Sequence, residues 1–128
     1  MKRHAKSYAR ENAIKMLYTH AIEKKTEILT DSNISDPMAR TWVTYIVQNE
    51  AEFNTEIKKY LKKWTINELN PINLAILQVA IYELKFDETP AAIVVNEAIE
   101  FAKKYSDDNS KAFVTYVLKE ISKDISND

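Results

Sequence analysis

The chain has no glycine and no cysteine, and only three prolines in 128 residues. Without glycine there is no glycine-rich phosphate loop, no dinucleotide fingerprint and no glycine-flanked nucleophile elbow, since each needs backbone that a Cβ would obstruct. Without cysteine there is no disulfide framework, no thiolate metal ligand and no thiol nucleophile. That usage is compatible with a cytoplasmic protein. Long apolar runs are missing too, and nothing approaches the roughly 20 residues that a membrane span requires. The opening MKRHAKSYAR is basic, but no uninterrupted apolar segment follows it, so it does not read as a signal peptide.

Catalytic and metal constellations are equally scarce. The two histidines, His4 and His20, are sixteen positions apart. A zinc site needs three or four converging ligands, so no metal is expected. No serine sits in a credible base-and-orienter arrangement. Glu97 and Glu100 fall at i and i+3, where two carboxylates share a helix face and could work as an acid–base pair. They read instead as solvent-facing charges beside Lys103 and Lys104. The residues therefore point to no catalytic site and no cofactor.

What is present is an ordinary globular balance, 45% hydrophobic and 29% charged, in a length that suits one domain over residues 1–128. The charge is unevenly spread. Residues 1–25 carry seven Lys/Arg against Glu11 and Glu23, giving +5, so a total of −1 leaves −6 for the rest. A basic arm on an acidic body suggests a polyanionic partner.

Apolar residues recur with the 3.6-residue period of helices. A first helix is expected from about Ser7 to Lys25, with Ala13, Ile14, Leu17, Tyr18, Ala21 and Ile22 as its inner stripe. Residues 26–35 suit a turn or a single helical turn. Asp36-Pro37 and Asn70-Pro71 are helix starts, each a side-chain acceptor followed by proline at the first helical position, and Thr89-Pro90 repeats the signal. The first start leads to Val43, Ile46 and Val47. A break near residues 49–54 precedes a stripe of Phe53, Ile57, Tyr60, Leu61 and Trp64. The second start opens INLAILQVAIYEL (72–84), apolar over more than half its circumference and hence the central helix. The third leads to Ile93, Val94, Ala98, Ile99 and Ala102, with Asn96 close to the stripe and in need of a buried partner. A last helix begins near residues 108–110 and carries Phe113, Val114, Val117, Leu118, Ile121 and Ile125. The expectation is an all-α, single-domain bundle of six or seven helices.

The basic arm, with Lys2, Arg3, His4, Lys6 and Arg10 around Tyr8, combines cations for phosphates with a ring on which a base can stack. Tyr18 is expected in the core by its phase, with its hydroxyl able to emerge. The loop Ser106-Asp107-Asp108-Asn109-Ser110 is a natural cap for the last helix, and its free N–H groups could also meet a phosphate.

The segments LAILQVAIYEL (74–84), TPAAIVVNEAIEFAKKYSDDNSKAFVTYVL (89–118) and ARENAIKMLY (9–18) resemble the NusB transcription antitermination factors. The likeness covers roughly half the chain, at both ends. It implies an all-helical protein that binds boxA-type single-stranded leader RNA together with the ribosomal protein NusE and docks on RNA polymerase. It carries Arg10, Tyr18, Ser110 and Phe113 to the RNA surface, with Lys2, Arg3 and Lys6 added on charge alone, and points to Asn73 for NusE. Thr115-Tyr116 stands where the family has Asn-Gly, Tyr105-Ser106 where a helix usually ends in glycine, and Gln78 where arginine is common. Two other readings stay open: a helical interaction module that binds protein and not RNA, and the NusB-like domain of an rRNA cytosine methyltransferase, whose catalytic domain these residues do not include. Exposed helix faces could also support a homodimer.

Overall fold

A computed structural model describes residues 5–23, 36–61 and 69–126, and within them the chain forms six helices and no strand. They are α1 (Ala5–Glu23), α2 (Pro37–Gln48), α3 (Glu50–Lys58), α4 (Pro71–Phe86), α5 (Ala91–Tyr105) and α6 (Asp108–Ser126). The expected all-α bundle is found. Trp64, residues 26–35 and the end of the first predicted helix at Lys25 lie outside the described residues.

The helix starts follow the local chemistry. The Asp36 side chain accepts from the N–H groups of Met38 and Ala39, and Asn70 Oδ1 accepts from the Ile72 N–H at 2.9 Å. These side chains satisfy donors that a helix N-terminus otherwise leaves unpaired. The third start departs from the pattern. Pro90 occupies the cap position of α5, with no side-chain cap. Thr89 is engaged elsewhere: its hydroxyl donates to Asp87 and accepts from Lys6. Helix ends show the effect of having no glycine. Asp87 and Ser106 leave α4 and α5 in extended conformation (φ −115°, ψ 158° and φ −123°, ψ 160°), rather than through the left-handed turn that glycine favours. Between α2 and α3 the break falls at Asn49, whose side-chain amide and backbone N–H both donate to the Tyr45 carbonyl.

α4 is the axis of the bundle and packs against each of the other five helices. Residues 75–81 are buried without interruption, as expected for a helix apolar over most of its circumference. Buried Gln78 is satisfied by donating from Nε2 to Asn54 Oδ1 at 3.2 Å. Near the C-terminal end of α4, Tyr82 and Phe86 join Trp42, Tyr45 and Phe53 in an aromatic cluster with centroids 4.9–6.5 Å apart.

Two inner stripes are rotated from expectation. In α1 the buried residues are Ala9, Arg10, Ala13, Ile14, Met16 and Leu17, while Tyr18 and Ile22 are exposed. In α5 they are Val94, Ala98, Phe101 and Ala102, with Ile93 and Asn96 exposed. The amide of Asn96 thus needs no buried partner. In each case a wide apolar pattern allowed two phases, and the neighbouring helices selected one.

Leu77 is fully buried at the centre of the axis. Leu77→Ala should lower stability by about 2–5 kcal/mol, read as a reduced denaturation midpoint at an unchanged urea m-value.

Candidate nucleic-acid interface

α1 runs antiparallel to α4 and is fixed to it by charge as well as by packing. Arg10 Nε donates to Glu83 Oε2 at 2.7 Å, with the two side chains only 5% and 1% exposed. Burial pushes the Glu83 carboxyl above its ordinary value, against the opposing pull of the Arg10 guanidinium. Its second oxygen, Oε1, has no hydrogen-bond partner among the described residues. One turn nearer the N-terminus of α1, Lys6 Nζ donates to Asp87 Oδ2 at 2.8 Å and to Thr89 Oγ1 at 2.9 Å. Burial works to raise the Asp87 pKa, but the bonds from Lys6 and Thr89 outweigh it and hold the carboxyl below its usual range.

The flank of α1 is fastened to the end of α5. Glu11 Oε2 accepts from Lys104 Nζ at 2.9 Å and from the Tyr105 hydroxyl at 3.3 Å. The bond to Glu11 holds the Lys104 ammonium above its ordinary pKa, and the same nitrogen stands 5.2 Å from the centre of the Tyr105 ring. An open groove of about 410 Å³ follows this seam, lined by Ser7, Glu11, Glu97, Glu100, Phe101, Lys103 and Lys104. Glu100 pairs with Lys103 at 3.2 Å in solvent, the surface role expected for it.

Just beyond α5, the Ser106 hydroxyl donates to the buried Asn73 Oδ1, locking the end of α5 to the start of α4. Asp107 then caps α6: its Oδ1 accepts from the Ser110 N–H at 2.7 Å, and that backbone bond keeps its carboxyl below the usual range. The loop is a helix cap, as its composition suggests.

The predicted site residues therefore separate. Lys2 and Arg3 lie outside the described residues. Lys6 is half-buried and paired with Asp87. Arg10 was expected at an RNA surface, but it is 4% exposed and its guanidinium serves Glu83. Its place on the inner stripe of α1 turns it toward α4 and away from solvent. Tyr18, expected in the core, is 41% exposed. Ser110 is half-buried at the start of α6, and Phe113 lies partly buried against the core. Asn73, expected to face a protein partner, is buried and engaged by Ser106. α1 and the start of α6 are connected through the end of α5, by way of Glu11, Tyr105 and the two residues between Tyr105 and Asp108.

Two participants escaped the sequence reading, Glu83 and Glu11. Glu83 left a signal: Arg10 and Glu83 are opposite charges set among apolar positions of two inner faces, a pattern that suits a buried pair. Glu11 left only its i,i+4 spacing to Lys15, because its closer partners lie on a helix more than ninety positions away. Among the described residues no group of three or more His, Cys, Asp or Glu side chains could hold a metal ion, and no helix is long and apolar enough to cross a membrane.

A model of the NusB family matches residues 7–123. The transcription antitermination protein NusB of Clostridium novyi is 41% identical over 122 residues, which cover 86% of this chain and 92% of that protein. Among solved structures, T. maritima NusB superposes with a TM-score of 0.84 at 29% identity, covering 96% of this chain and 93% of that one. A chain from the crystal structure of antitermination factors NusB and NusE in complex with dsRNA has a TM-score of 0.76 over 93% of this chain and 96% of that one. At 24% identity that last likeness speaks for the fold alone.

Replacing Arg10 should test the buried pair. Arg10→Met strands the Glu83 carboxylate and should cost about 3–5 kcal/mol, while Arg10→Met with Glu83→Leu should recover most of the loss. A stranded Glu83 would titrate above the ordinary 4.5 of the unfolded chain. The folded state then binds the proton more tightly, so stability is lost as pH rises through that interval. The cost of Arg10→Met should accordingly be larger near neutrality than near pH 4.5, as thermal melts across pH would show.

Proposed function

The chain belongs to the NusB family, and we propose that all of it, residues 1–128, acts as a single-domain transcription antitermination factor. In this reading it binds boxA-type single-stranded leader RNA together with NusE and docks both on the elongating RNA polymerase in the cytoplasm. Its work is assembly and not catalysis.

The observation that carries the reading is the exposed Tyr18 ring on α1, with exposed Lys15 one turn before it on the same side. The cationic end of α5, Lys103 and Lys104, borders the same helix through Glu11. An aromatic face beside ammonium groups is the combination that single-stranded nucleic acid requires: the ring stacks on a base, and the cations meet phosphates. Ser110 and Phe113, at the start of α6, extend this surface beyond the end of α5. Lys2 and Arg3, which precede α1 in the sequence, and Lys6 within it add charge, and a phosphate would share Lys6 with Asp87. Arg10 becomes a positioning residue, holding α1 in the rotation that turns Tyr18 outward. Asn73 acts likewise from inside, so contact with NusE falls to the surface around the start of α4 and not to the Asn73 amide.

Titration of boxA-type single-stranded RNA at several salt concentrations, with and without NusE, tests the reading. Neutralising about four phosphates should give a slope near −3 for log K against log salt. Tyr18→Ala should cost about 1–3 kcal/mol of RNA affinity while leaving the melting temperature nearly unchanged. Absence of RNA binding even with NusE present would overturn it.

A further inference from the structure

Tyr8 and Tyr18 share the outward face of α1. They are separated by ten residues, about 15 Å along a helix axis, and Lys15 lies between them on that face. Tyr8 is 51% exposed and Tyr18 41%, and the Lys15 side chain is 61% exposed. Single exposed rings are common on protein surfaces. Two on one face with a cation between them form a pattern. The carboxylate between the rings, Glu11, is only 13% exposed and is occupied by Lys104 and Tyr105, with Lys15 at 3.9 Å. The negative charge on this face is thereby neutralised from α5, and an anionic strand could lie along it.

We propose that Tyr8 is a second base-stacking platform, so that Tyr8 and Tyr18 hold two bases of one RNA strand while Lys15 meets a phosphate between them. The inference rests on the RNA-binding reading and deepens it. Successive stacked nucleotides rise only about 3.4 Å, so rings about 15 Å apart cannot be covered by two adjacent stacked bases. The strand must be splayed, with intervening nucleotides spanning the gap. A duplex keeps its bases stacked and its edges in grooves, so this ladder selects single-stranded RNA. The same spacing gives the surface a direction along α1, from Tyr8 in its first turns to Tyr18 farther along the helix.

The test is titration of a fluorescently labelled boxA-type single-stranded RNA against the full chain and its variants across a salt series, with NusE present. Tyr8→Ala should weaken binding about five- to a hundredfold at an unchanged salt slope, because stacking and not charge is lost. Tyr8→Phe keeps the ring face and should bind like the parent. Lys15→Ala should reduce the salt slope by about one. Alanine is the best helix former, so Tyr8→Ala should keep the fold and its melting temperature. Unchanged affinity in Tyr8→Ala alongside a loss in Tyr18→Ala overturns the second platform and leaves RNA binding standing. A changed salt slope in Tyr8→Ala also overturns it, since the residue would then act through charge. If the parent binds no RNA, both readings fall together.

Discussion

Arg10 and Glu83 lie in the seam between α1 and α4, almost entirely removed from water. Two charges so placed are costly to separate, because either one left alone would keep its desolvation penalty with nothing to offset it. The pair therefore acts on α1 as a key acts on a shaft. It permits one rotation of the helix about its axis, the one that sends Ala9, Ala13, Ile14 and Leu17 inward. Every side chain on the opposite face follows from that choice. Tyr8, Lys15 and Tyr18 are outside because Arg10 is inside.

The same logic runs through the other fastenings of α1. Lys6 ties its head to the turn after α4, and Glu11 ties its flank to the end of α5. From there Ser106 reaches back to Asn73, and Asp107 caps α6. These polar bonds are clustered where helices end, and those ends cannot use a left-handed glycine turn in this chain. Extended residues and side-chain bonds replace it. The outcome is that α1, the end of α5 and the start of α6 are held along one edge of the bundle, where the proposed RNA surface lies.

Much of this was legible in the residues. Asp36-Pro37 and Asn70-Pro71 announced two helices because capping is local chemistry, decided within four residues. The burial of residues 75–81 was legible because a segment apolar nearly all round leaves no alternative. The resemblance carried by Asn96-Glu97-Ala98 and the Tyr82-Glu83-Leu84 run led to the right family. Tyr18, Arg10 and Asn73 were less transparent. Tyr18 borders the inner stripe of α1 and Arg10 interrupts it, so a helical period alone could place either on either side. Asn73 stands at the head of a helix, where exposure is the common outcome, and Ser106, 33 positions later, helps to make its burial tolerable.

By itself the sequence determined what short-range chemistry can determine: an all-helical chain, most of its helix starts, its central helix, its uneven charge and its family. Tertiary structure alone decided which face of α1 and of α5 turns inward, and with it which residues are offered to a partner. The physical reason is that a helix with a broad apolar stripe can be buried in more than one rotation at similar hydrophobic gain. For α1 a buried ion pair formed with a helix 73 positions away breaks that degeneracy, for α5 the packing of its neighbours does, and no local pattern contains either.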